Sequence, residues 1–186
     1  IIILLVCLGF FAMVLSMPIR FLLPIFAKDI FSIGPTGLGI MMSTMGIGSV
    51  IGALFVATMG GNKNRGLILM SVGIAAGWVL LTFAAISYFY PEFWISLILL
   101  AGVGLFQSSR MTLNNTLALE NTADNYRGRV MSIFALNFAF VPAGALPITF
   151  ATEYIGAPVA LGIMAGLLLL IGGGFLMMSS RLRNLP

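Results

Sequence analysis

Histidine is absent from this chain of 186 residues, cysteine occurs once, and acidic residues number five. Each shortage removes a class of chemistry. Without histidine the usual zinc sites are closed, and Ser49, in GIGSVIG, has no Ser–His partner for nucleophilic attack. Cys7 has no second thiol for a disulfide or a metal site. The acids are Asp29, Glu92, Glu120, Asp124 and Glu153, and none falls inside an apolar run. An intramembrane aspartyl dyad is therefore excluded, and a proton relay on a buried carboxylate has no residue to use in this segment. No P-loop, dinucleotide glycine fingerprint or pair of opposed carboxylates is found. The sequence is expected to be no enzyme and to hold no metal or cofactor. Its net charge of +4 rests on nine basic residues in separate short loops, so no continuous phosphate-tracking patch forms and no nucleic-acid partner is expected.

What the chain has is apolar length. Hydrophobic residues make up 60% and charged ones 8%, where a soluble domain carries about 25% charged, and mean hydropathy is +1.13. Six apolar runs cover roughly 1–24, 37–60, 66–87, 93–112, 130–152 and 157–178, each near the ~20 residues that carry a helix across ~30 Å of hydrocarbon. None shows the polar stripe of a soluble core helix. The fold expected is all-α and polytopic, a single domain over 1–186 with six transmembrane helices in a lipid bilayer.

Loop charge orients it. Connectors 61–65 and 113–129 and the tail 179–186 hold Lys63, Arg65, Arg127, Arg129, Arg181 and Arg183, whereas the opposite connectors hold only Lys28. This bias places the first set, and both chain ends, in the cytoplasm of a multi-pass protein of the cell (inner) membrane. Tyr88, Phe89, Tyr90, Phe93 and Trp94 then form an aromatic belt at the outer interface. Ile1 already lies within an apolar run, without an initiator Met or a charged flank, so the sequence is expected to be a piece of something longer.

Within the spans, Gly48 and Gly52, Gly73 and Gly77, and Gly162 and Gly166 form GxxxG pairs that let a neighbouring backbone approach, for packing or for sliding. Pro18 and Pro24 bracket the end of the first span. Pro142 and Pro147, flanking Gly144, are expected to kink the fifth, as a static bend or a hinge. On the fourth span Gly104, Gln107, Met111 and Asn114 recur at helical spacing, with Arg110 one turn from Gln107. That stripe should face the bundle interior or a wet cavity. Gln107 is read either as an interhelical hydrogen bond or as a substrate contact, and Arg110 either as snorkelling to the cytoplasmic interface or as a cavity residue. Asn137, one turn after Phe134, marks a second wall. Arg20 is expected to reach the outer interface and pair with Asp29 or Glu153.

The segment YRGRVMSIFALNFAFVPAGALP, Tyr126 to Pro147, followed by EYIGAPVAL, resembles the eleventh transmembrane helix and its flanks in the major facilitator superfamily. It is most similar there to the branch of macrolide and siderophore exporters. LPIFAKDIF, Leu23 to Phe31, resembles the end of the seventh helix, and GLGIMMSTMGIGSVIGAL the eighth. The loop GGNKNRG departs from the family in lacking the Asp of its usual basic loop. The resemblance covers helices seven to twelve. It implies the C-terminal half of a secondary active transporter exporting amphipathic small molecules by alternating access, built from 3+3 inverted repeats. The partner is then the N-terminal six-helix half, which would also hold the acids for coupling to protons. The first, second, fourth and fifth spans should face that half. Met13, Phe134, Gln107 and Asn137, with Arg110, are the substrate-pathway candidates, while Arg127 and Arg129 belong to the cytoplasmic loop. Two other classes stay open. One is a six-helix membrane substrate-binding subunit of an energy-coupled uptake complex; the other is a channel, for which no polar ring or selectivity loop is found.

Overall fold

Proline and glycine stand at several of the helix ends. The computed structural model describes residues 2–59 and 65–178, with side chains over 5–59 and 65–174. Lys63, Arg181 and Arg183, named above, lie outside the described residues. The described residues form eight α-helices: α1 (Ile2–Ser16), α2 (Ile19–Ile25), α3 (Gly34–Thr58), α4 (Arg65–Phe89), α5 (Phe93–Glu120), α6 (Arg127–Ala139), α7 (Val141–Ile155) and α8 (Ala157–Met178). No strand occurs among the described residues. Gly34 enters α3 at φ 64 and Gly156 precedes α8 at φ 81, a region that side chains resist. Pro91 follows α4, where it cannot continue a helix.

Joined end to end, these helices form six segments long and apolar enough to cross a membrane, from Leu5–Ile30 to Ala157–Gly174. The chain is an all-α, multi-pass membrane protein. Its outward surface agrees: Ile47, Val50, Leu54, Ile98 and Leu170 are exposed, as hydrocarbon surroundings favour.

Three boundaries differ from expectation. The first span does not stop at 24: after Pro24 the chain continues as a π-helical turn over Phe26–Ile30, closed by Phe31 N–H to the Phe26 carbonyl at 2.9 Å. Lys28 and Asp29 therefore sit on a helix. The fourth span runs eight residues past 112, to Glu120. Leu113–Glu120 contains no Gly or Pro, so helix persists where hydropathy falls. The fifth span breaks once, at Phe140, just before Pro142 in the first turn of α7, whereas Pro147 lies inside α7 without interrupting it.

Packing centres on α5. It lies against α3 along one side and against α4 along another, and α4 in turn packs on α8. A Cβ placed on Gly48, Gly52 or Gly104 would collide with the carbonyl of Ala101, Leu105 or Met45, respectively. Backbone meets backbone here. In lipid such close approach, rather than expulsion of water, holds helices together. Gly104 accordingly faces α3 and leaves the polar stripe that the sequence suggested. Toward one end of the bundle Phe26 and Phe83 stack at 5.1 Å amid Leu22, Met41, Leu80 and Leu161. At the other end Leu5, Leu69, Leu113 and Leu117 pack together, and Arg65 reaches Glu120 at 2.6 Å. That pair is partly exposed and contributes at most about 1 kcal/mol.

Candidate functional site

Residues three, four and seven apart share a helix face, and on α5 that face carries Gln107, Arg110, Met111 and Asn114. It looks onto α1 and α6. Between these three helices lies a cleft of about 200 Å³, lined among others by Met13, Ser16, Gln107, Arg110, Phe134 and Asn137. All five substrate-pathway candidates thus meet at one place. The second span contributes nothing to it; α3 instead turns Ile47, Val50 and Leu54 outward.

Arg110 does not snorkel. It is 8% exposed, and α5 rises about 15 Å from it to Glu120. Its Nη2 donates to Ser16 Oγ at 3.2 Å, while its Nε has no acceptor. Gln107 Nε2 donates to the same hydroxyl at 3.3 Å and its Oε1 is unpartnered. Ser16 Oγ completes its set by donating to the Ala12 carbonyl at 2.5 Å. One serine thus accepts from two long side chains of another helix. Asn114 Nδ2 donates to the Leu5 carbonyl at 3.3 Å, leaving Oδ1 alone. Gly9 permits that approach, since a Cβ there would stand 2.6 Å from Asn114 Nδ2.

Asn137 occupies the last turn of α6, one turn from Phe134, where the chain breaks at Phe140. It is 7% exposed, and among the described residues no hydrogen-bond partner is found for its amide. The opposite break, between α1 and α2, follows Ser16 and Met17, because Pro18 supplies no N–H to the Val14 carbonyl. Two of the three walls are thus interrupted beside the cleft. Gly144 packs on α1 just there, with its Cβ position 3.0 Å from the Val14 carbonyl oxygen.

The remaining candidates lie elsewhere. Gly48 and Gly52 serve the α3–α5 contact. Pro142 borders a groove between α2 and α7, of about 390 Å³, lined mostly by Phe21, Leu146, Phe150 and other apolar groups. That groove is larger than the cleft but holds no buried polar side chain. Arg127 pairs with Asp124 at 3.0 Å, and the Arg129 guanidinium lies 5.7 Å from the centre of the Tyr126 ring. Arg20 is exposed and, among the described residues, pairs with neither Asp29 nor Glu153.

Sequence reasoning missed Ser16, Met17 and Met131. Ser16 left a signal: it is the lone hydroxyl in residues 1–24, two positions before a proline. No protein-family model and no curated protein matches the chain.

Proposed function

We propose that this chain is half of a secondary active transporter of the major facilitator type, exporting amphipathic small molecules, with its cleft as one wall of the substrate pathway. The observation that carries the reading is the convergence of Gln107, Arg110 and Asn137, with Ser16, Asn114 and Asn115, on a cleft whose larger side chains are otherwise Met and Phe, in a bundle whose outer surface is apolar. Ionisable and amide groups are costly inside a bilayer and mark pathways by default. Sites of this kind combine an apolar body with a few placed hydrogen-bonding groups. The breaks at Pro18 and Phe140 give two walls the interrupted helices that transporters use near their sites. In this reading the six helices are a 3+3 inverted repeat, a second six-helix half closes the cleft, protons are the coupling ion, and the activity is transport rather than catalysis.

The test separates substrate contact from structural hydrogen bonding. Gln107→Leu and Asn137→Leu are expected to leave the protein folded yet change which of three chemically distinct drugs cells resist. Each lost hydrogen bond is worth ~1 kcal/mol, several-fold in affinity. Melting temperature in detergent is measured beside resistance. A uniform loss that tracks stability would remove both residues from the pathway. Tight ligand binding by the 186 residues alone, without transport in the presence of a second half, would favour a binding subunit.

Orientation is tested independently. In a Cys7→Ser background, cysteines at Ser32 and Tyr90 are expected to react with an impermeant thiol reagent added outside intact cells, and cysteines at Asn121 and Asp124 are not. Reversed labelling would invert the cytoplasmic assignment.

A further inference from the structure

Among the described residues the guanidinium of Arg110 has no counterion. The acids of the chain number five. Glu120 and Asp124 pair with Arg65 and Arg127, and Asp29, Glu92 and Glu153 stand at helix ends or in connectors. Residues outside the described set add no acidic side chain. Arg110 is nevertheless buried, with its side chain also against Gly73 of α4, and among the described residues the neutral hydroxyl of Ser16 is its one acceptor, although a guanidinium offers five N–H donors. A desolvated cation so poorly matched is costly to the fold, and an incoming negative group that completes its hydrogen bonds repays that cost. Two amide oxygens around it, Gln107 Oε1 and Asn114 Oδ1, are left without a donor, and Asn137 lines the same cleft. Apart from Asn115, the rest of the cleft is walled by small or apolar residues, among them Met13, Met111, Met131, Phe134 and Phe138.

We propose that this cleft selects amphipathic anions, seating a carboxylate on Arg110 with an aromatic or aliphatic body against the Met and Phe wall. The proposal rests on the transport reading for its biological meaning and narrows the substrate class of that site. A planar carboxylate suits the guanidinium fork, and charge-assisted hydrogen bonds are about twice as strong as neutral ones. Gln107 Oε1 and Asn114 Oδ1 favour ligands that also carry a hydroxyl or amide N–H.

The experiment is equilibrium binding to the protein as its native membrane holds it, with any second half retained, purified in a non-ionic detergent at pH 7. The probes are a matched pair, 1-naphthaleneacetate and 1-naphthaleneacetamide. They share shape and apolar body; the first is ionised, since carboxyl groups of this kind titrate near pH 4. The acid is expected to bind about tenfold more tightly than the amide. Arg110→Gln is expected to erase that preference, and Arg110→Lys to retain part of it. Equal affinities in the parent protein, no binding of either probe, or an acid preference that survives Arg110→Gln would each overturn the proposal. The parent comparison stands even where Arg110→Gln fails to fold. Because the readout is binding, the two readings fail separately: a protein that prefers the acid yet moves nothing keeps the anion site and loses transport, and a transporter indifferent to the acid does the reverse.

Discussion

Gly104→Val is expected to stop α3 and α5 from docking closely and to lower the melting temperature of the purified protein by about 2–12 °C, toward the upper end of that range. The added Cβ would collide with the Met45 carbonyl oxygen and stand 3.1 Å from Ser49 N. Both obstacles are backbone, so no rotamer change relieves them. Overpacking a tight contact costs about 1–3 kcal/mol or more, and at this chain length each kcal/mol moves the midpoint by roughly 2–4 °C. Separating the helices would also weaken the Gly48 and Gly52 contacts and the bond from Ser109 Oγ to the Gly52 carbonyl at 3.0 Å. Gly46→Ala and Gly166→Ala provide the comparison, since a Cβ at either meets nothing within 4 Å. Helix propensity favours all three substitutions, so equal losses at the three positions would mean that the effect at Gly104 is not specific to the α3–α5 contact.

Ser16→Ala is expected to be the most damaging loss of a single oxygen in the chain. It removes the acceptor shared by Gln107 Nε2 and Arg110 Nη2, and a hydrogen bond to a buried charge is worth about 1.5–3 kcal/mol. The melting temperature should fall by about 6 °C or more. Ser71→Ala, whose hydroxyl bonds only within its own helix at an exposed site, should leave it unchanged. Pairing Ser16→Ala with Arg110→Met should recover part of the loss, because removing both partners leaves no stranded charge. An additive double variant would show that Arg110 does not depend on Ser16.

The six spans were legible in the sequence because hydropathy reports what lipid requires of a surface. Their ends were less so. Leu113–Glu120 lost hydropathy without losing helix, and the chain stayed helical past Pro24 as far as Ile30. Gln107, Phe134 and Asn137 could be singled out because an amide or a ring at helical spacing in an apolar run needs an interior partner. The direction of Arg110 could not be read, since a long side chain near a span's end reaches water or the interior equally well, and only the position of Ser16 decides. Gly104 misled for a related reason. Its spacing fitted the polar stripe, but a residue without a side chain goes wherever a neighbouring backbone comes closest.

The docking of α3 on α5 also bears on how the protein is made. Neighbours in sequence usually pair first, yet among the described residues α3 and α4 make almost no contact, and both lie against α5. The glycine face of α3 therefore has no seat when α3 leaves the ribosome. Gly52 finds its partner only once Ser109 is in the membrane, roughly fifty residues after Thr58. At about 5–20 residues per second that interval is about 3–10 s. For that time the face is open to lipid and to any other helix with a small-residue groove, so this is the stage at which nascent chains are most exposed to mispairing.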